Sequence, residues 1–266
     1  MIQAKSADLI DGVVFVDADN TLWDTDGVFA TAQLHLLETI EGLVDKSAQT
    51  TDRLALVRRI DQDLAAAHHQ GLRYPPSLLA VALAEVLSGK PVDQAVREVL
   101  KSGARTTLLS ADNLSSIEGN FFRDIKSPPQ LLPGVRKSLE ALQKLGLTIL
   151  ILTEGAHQRI SHTARHHKLD GLFSRILEAP KTERLFRRVL RLTGNPRVAV
   201  MIGDQLKSDI RPAGLAGLTT IHIPGRFVPR WELDDRQTRP DFQIHAFSEV
   251  VGIVEQAIAC CDHAVS

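Results

Sequence analysis

Residues 12–17, Gly-Val-Val-Phe-Val-Asp, form a short apolar, largely β-branched run that ends in an acid. Such a run has no polar positions to turn toward water, so it reads as a strand buried on both faces, the habit of strands in parallel sheets. The same texture returns at residues 147–152, 198–202 and 219–223, and more weakly at 242–244, with helical patterns at 135–145 and 182–192 between them. Parallel strands need crossover helices, so this alternation predicts an α/β chain with a Rossmann-like, doubly wound parallel sheet as its core. Ligands in such sheets sit beyond the carboxyl ends of the strands. Three of the runs end there in Asp17-Ala18-Asp19, Thr153-Glu154-Gly155 and Gly203-Asp204.

Between the first and second runs the texture changes. Phe29, Leu36, Leu37, Ile40 and Val44 recur at helical spacing, as do Leu54, Val57, Ile60 and Leu64, and β-branched clusters are almost missing. Tyr74-Pro75-Pro76-Ser77 interrupts the chain before an apolar stretch at 78–87 that Gly89 can close, and Pro128-Pro129 with Leu132-Pro133-Gly134 mark the return to the core. The expected organisation is a core of residues 1–27 and 128–266 interrupted by an all-helical insert of residues 28–127.

At 266 residues the chain has enough material for a large core plus an insert, and 44% hydrophobic with 24% charged residues is globular composition. Lys and Arg number 31 against 32 Asp and Glu, so no net basic field favours a nucleic-acid partner. The adjacent Cys260 and Cys261 are poorly placed to staple distant loops, and no apolar run approaches the ~20 residues that span a bilayer. The expectation is a cytoplasmic protein with no membrane partner, acting as a monomer or homodimer.

Asp17-Ala18-Asp19-Asn20-Thr21-Leu22 sets two carboxylates two residues apart just past a strand, where they need a cation or a proton between them. A magnesium ion held by oxygen ligands would relieve that repulsion and neutralise charge on a phosphoryl group brought beside it. Asp17 is then the candidate nucleophile, forming an aspartyl-phosphate that water cleaves, and Asp19 the candidate general acid and then base.

The D-x-D-x-T-L pattern is followed in order by three further elements, and together they resemble the haloacid dehalogenase (HAD) superfamily in its phosphatase branch. Thr153 in Ile149-Leu-Ile-Leu-Thr-Glu-Gly155 matches the family's second motif. Its hydroxyl and the main-chain N–H groups of Glu154 and the next residue would bind phosphoryl oxygens. Lys181 in Ala179-Pro-Lys-Thr-Glu183 matches the lysine that pairs with the nucleophile and the phosphoryl group, and Gly203-Asp204-Gln-Leu-Lys-Ser-Asp209 matches the acidic fourth motif. The resemblance implies a Mg2+ cofactor held by Asp17, the main-chain carbonyl of Asp19 and Asp204, with Asp209 supporting the metal site. It also implies a small phosphorylated substrate, and an insert that serves as a cap closing over the active site and excluding water. Asn20 stands where many relatives carry glycine; asparagine tolerates unusual dihedrals.

Phosphomonoester hydrolysis is the reaction expected. A phosphomutase, which returns the phosphoryl group to substrate, is not separated by these motifs, and a HAD-like binding or regulatory protein is the alternative from another class. A dehalogenase has no need of Asp19 or Asp204. His157, His162, His166 and His167 read as a solvated helix face, and so does the stripe of Arg184, Arg187, Arg188 and Arg191, with an anionic partner or subunit contact as the alternative use of that stripe. The segment 226–239 with Trp231 is a further candidate for contacts, and Arg73, Tyr74, Arg105 and Arg123 are the insert residues that could meet substrate.

Overall fold

A computed structural model describes residues 12–230 and 237–263, except for the side chains of Leu72 and residues 261–263. The sequence readings that concern Trp231 and the Cys261 side chain lie outside the described residues.

The chain separates into two compact units, one of residues 1–26 with 128–266 and one of residues 27–127. The first holds a six-stranded, wholly parallel sheet in the order β3-β2-β1-β4-β5-β6. The strands are β1 (Gly12–Val16), β2 (Thr148–Thr153), β3 (Arg175–Glu178), β4 (Val198–Gly203), β5 (Thr219–His222) and β6 (Phe242–Gln243). This is the doubly wound α/β fold expected from the alternation of runs. β3 has no counterpart among the runs read from the sequence. Its Arg-Ile-Leu-Glu is half exposed at the sheet edge, so it lacks the apolar signature by which the other strands were recognised.

Alternation along β1 builds the two faces of the sheet. Val14 and Val16 turn to a core shared with Leu139 and Leu142 of α6 (Val135–Lys144), Ile160 of α7 (His157–His166), and Val250 and Val254 of α10 (Val250–His263). Val13 and Phe15 turn the other way, toward Phe186 of α8 (Glu183–Leu192) and Ala213 of α9 (Arg211–Leu215). Phe15 and Phe186 meet edge to face at 5.3 Å. Every residue of β1 is buried, which is why its sequence is continuously apolar. The backbone at Gly12 is closely packed: a Cβ there would lie 2.4 Å from the end of the Leu147 side chain and 3.3 Å from Val198 Cβ.

The second unit contains α1 from residue 27 onward (α1 spans Thr25–Val44), α2 (Arg53–Ala67), α3 (Pro76–Leu87), α4 (Val92–Ser102) and α5 (Ala111–Asp124). α3 is apolar on nearly all sides because it runs through the middle of this unit, and Leu79, Ala80, Val81, Ala82 and Leu83 are all buried. Leu36, Leu37 and Ile40 of α1 with Val57, Ile60 and Leu64 of α2 complete the same core. A buried polar cluster interrupts it: Tyr74 donates its hydroxyl to Asp61, whose other oxygen accepts from Gln33 at 3.1 Å. Burial pushes the Asp61 carboxyl up despite these donors. Among the described residues no helix is long and apolar enough to cross a membrane.

Candidate active site

β1 and β4 are neighbours from which the chain proceeds to opposite halves of the sheet, and the crevice beyond their carboxyl ends is the topological switch point. Asp17 leaves β1 into that crevice, its main-chain N–H donating to Ile202 of β4 at 2.9 Å. Asp204 follows the end of β4, and Asp209 lies five residues on, in a single π-helical turn, Leu206–Ile210. Such turns recur at functional sites, and this one lets Asp209 fold back under Gly203. A Cβ on Gly203 would come within 2.4 Å of the Asp209 carboxyl carbon.

Lys181 reaches this pair of acids from the loop after β3. Its buried ammonium donates to Asp17 and, at 2.5 Å, to Asp209. The second Asp209 oxygen accepts from the main-chain N–H of Gln205 at 2.9 Å, so both of its oxygens are engaged. Asp17, Asp204 and Asp209 each bring a carboxylate oxygen within 4.8 Å of the others, the one such cluster of potential metal ligands among the described residues. Burial raises the Asp17 carboxyl to about 7, against the pull of Lys181 and with the help of Asp209 and Asp19. Asp204 is pushed well above the usual carboxylate range by burial, then by Asp17 and Asp209. Burial opposes the charge on Lys181, yet the two acids outweigh it and raise the lysine. Three acids share one lysine, and the raised carboxyls of Asp17 and Asp204 mark a place that favours a proton or a cation; carboxylate oxygens as the available ligands suit a hard divalent ion.

Thr153 ends β2 beside this group and is buried; its hydroxyl oxygen accepts from Gly155 N–H at 3.0 Å, so its own proton is available to a ligand. The Glu154 carboxylate accepts from the main-chain N–H of Lys181 at 3.2 Å. Asn20 has the left-handed φ of 60° expected of a tight turn, and its side chain accepts from the main-chain N–H of Asp26 at 2.8 Å.

Asp19 is arranged differently from the other acids. Its carboxylate stands outside the three-acid cluster, and Oδ1 accepts from Thr25 Oγ1 at 2.6 Å, Trp23 Nε1 at 3.1 Å and Arg159 Nη1 at 2.8 Å, while Oδ2 accepts from Arg159 Nη2. Burial alone would raise this carboxyl; the hydrogen bonds and charge of Arg159, then Thr25 and Trp23, outweigh it and hold the carboxyl below its usual range. Sequence reasoning missed Arg159, Thr25 and Trp23. Arg159 lies on the first turn of α7, six residues past Thr153, and no spacing rule singles out an arginine there. It also missed His222, at the end of β5, whose Nε2–H donates to the main-chain carbonyl of Asp204 at 2.9 Å; burial holds that imidazole low.

Of the polar residues named in the insert, Tyr74 is spent on Asp61, while Arg73, Arg105 and Arg123 are exposed. His157, His162 and His166 are exposed on α7, and His167 stacks on Trp23 while its Nε2 bonds the Pro129 carbonyl at 2.7 Å.

Residues 12–217 match the model of the haloacid dehalogenase-like hydrolases. A glyceraldehyde 3-phosphate phosphatase of Methanopyrus kandleri is 27% identical over 138 residues, 51% of this chain and 59% of that protein. A phosphoserine phosphatase of Thermus thermophilus is 29% identical over 137 residues, 49% of this chain and 53% of that protein. The chain therefore spans little more than half the length of either relative. The crystal structure of a haloacid dehalogenase-like family hydrolase from Xanthomonas campestris superposes with a TM-score of 0.62 at 19% identity, covering 99% of this chain and 98% of that one, and so shares the fold. With a family match that spans the sheet from β1 through β4 and includes all four segments gathered at its carboxyl edge, the chain belongs to the haloacid dehalogenase-like hydrolases.

Proposed function

We propose that this protein is a magnesium-dependent phosphatase that hydrolyses a small phosphorylated metabolite through a phosphorylated Asp17. The observation that carries this reading is the pairing of Asp17 with the buried Lys181 at the edge of a three-acid cluster, while Asp19, two residues on, is kept apart from that cluster. The phosphatase names of the two sequence relatives support it.

Asp17, Asp204 and the main-chain carbonyl of Asp19 would hold the cation, with Asp209 acting through Lys181. Once bound, the cation would supply neutralisation of charge on the transferring phosphoryl group. A phosphoryl oxygen would be received by Lys181, the Thr153 hydroxyl and the Glu154 main-chain N–H. One Asp17 oxygen attacks phosphorus, the P–O bond to the alcohol breaks, and the departing oxygen takes a proton from the protonated form of Asp19, a form that the donors Arg159, Thr25 and Trp23 disfavour before substrate binds. Water then attacks the phosphorylated Asp17, passing a proton to Asp19 and returning the Asp17 carboxylate.

Phosphate release from aryl and alkyl phosphate monoesters, with and without magnesium, tests the reading with wild type and Asp17→Asn side by side. Turnover that needs magnesium and falls on the order of 1,000-fold or more in the variant is expected, because residues acting as one catalytic unit lose nearly everything together. Circular dichroism unchanged in the variant would tie that loss to chemistry, and substantial activity in Asp17→Asn would remove the residue as nucleophile.

A further inference from the structure

We infer that Arg159 is a positioning residue for the second half of the reaction, holding the Asp19 carboxylate ready to take a proton from the water that hydrolyses the phosphorylated Asp17. The inference rests on the phosphatase reading above and deepens it. Among the described residues the Asp19 carboxylate receives four hydrogen bonds, and it is the acceptor in every one. Thr25, Trp23 and Arg159 Nη1 all converge on Oδ1, whereas Oδ2 receives, among the described residues, Arg159 Nη2 alone. A carboxylate dressed in this way is held as an acceptor at a set rotamer, and Oδ2 is its less crowded oxygen.

The grip is bidentate, a geometry that a guanidinium supplies and an ammonium does not. Gly155 makes room for it: a Cβ there would lie 2.5 Å from Arg159 Nη2, 3.2 Å from Thr153 Oγ1 and 3.3 Å from Asp19 Oδ2. The guanidinium thus lies across the loop that also carries the phosphate-binding Thr153, while its side chain remains 44% exposed and contributes little to the core. An exposed ion pair of this kind is weakly stabilising, which separates its role in orientation from any role in folding.

In the step concerned, the oxygen of water forms a bond to phosphorus as the P–O bond to Asp17 breaks, its electron pair returning to the Asp17 carboxylate. The proton of water passes to Asp19 Oδ2, and orthophosphate leaves. Without Arg159 the Asp19 carboxylate keeps only donors on Oδ1 and turns about its χ2, so this step slows while formation of the phosphorylated enzyme from an activated ester does not.

The test uses the full chain with magnesium and p-nitrophenyl phosphate, whose leaving group departs without protonation, and measures turnover together with the fraction of protein trapped as aspartyl-phosphate on acid quench. Arg159→Met is expected to lower turnover roughly 10- to 100-fold, the range of general acid–base and positioning effects, while the trapped fraction rises several-fold. Arg159→Lys is expected to recover only part of the rate. A fall in turnover with no rise in trapped phosphoenzyme, or no fall at all, overturns the assignment of Arg159. Wild-type protein that neither turns over nor becomes phosphorylated overturns the phosphatase reading itself, and the role of Arg159 with it.

Discussion

Asp209 has no freedom to move: Lys181 takes one oxygen, the Gln205 N–H takes the other, and Gly203 leaves no space beside it. Gly203→Ala would force the new methyl into the Asp209 carboxyl, displacing a buried, hydrogen-bonded acid. The expected cost is about 1–3 kcal/mol of stability, as for overpacking elsewhere, read from the midpoint of urea unfolding. The same variant should bind magnesium more weakly, measured by calorimetric titration, because the displaced Asp209 no longer steadies Lys181 against Asp17. Unchanged unfolding and magnesium affinity would mean that the loop relaxes around an alanine. The acids and lysine could be nominated from the sequence because Asp17, Asp19 and Asp204 follow apolar strand runs, Lys181 precedes a helix start and Asp209 lies at a fixed spacing from Asp204. Arg159 could not, since its significance is a contact between residues 140 positions apart.

At the scale of an element, the loop between β3 and α8 decides where the Lys181 ammonium can go. Ala179 N–H is tied to the Thr153 carbonyl at 3.0 Å, and the Thr182 side chain caps α8 by accepting from Leu185 N–H at 3.1 Å. Lys181 is thus pinned between a strand partner on one side and a helix start on the other. Thr182→Ala should cost about 1 kcal/mol, the usual worth of an N-cap hydroxyl. Chemical denaturation measures that loss, and an unchanged midpoint would show that the helix start is held by packing instead. Helix α8 was legible because Leu185, Phe186, Val189 and Leu190 form one apolar stripe against the sheet, opposite the arginines. Strand β3 was not legible: four residues, half exposed, at a sheet edge carry no period that distinguishes them from a loop.

At the scale of the whole molecule, the cluster of acids links metal binding, pH and stability. Burial lifts Asp17 from 3.8 to about 7, so across that interval the folded chain holds a proton that the unfolded chain has released. Its contribution to stability is therefore present at low pH and is lost as pH rises through about 7, and Asp204, also raised, acts in the same direction. Magnesium binding would reverse this slope, because the cation needs the ionised acids that the metal-free fold disfavours. At about a hundredfold excess over its dissociation constant the ion should add about 2.7 kcal/mol. The rise in Tm on adding magnesium should be larger near pH 8 than near pH 5, where protons compete for the same oxygens. Calorimetric scans with and without magnesium check this, and an increment independent of pH would exclude Asp17 and Asp204 as shared ligands.

Hydrophobic periodicity and short-range motif spacing are local properties, and they were sufficient to assign the α/β class and to nominate the segments bearing Asp17, Asp19, Thr153, Lys181, Asp204 and Asp209. They also assigned the family, because four short motifs in a fixed order are themselves a property of the linear chain. What only the tertiary structure decided was which of those groups share partners. Asp17 and Asp19 are nearly identical in the sequence, both acids at a strand end, yet one is joined to Lys181 and raised while the other is gripped by Arg159 and lowered. The physical reason is that a carboxylate takes its character from its burial and then from the charges and donors packed around it: burial raises Asp17 against the pull of Lys181, whereas Arg159 overcomes burial at Asp19, and both surroundings form only when the segments after β1, β2, β3 and β4 meet on folding.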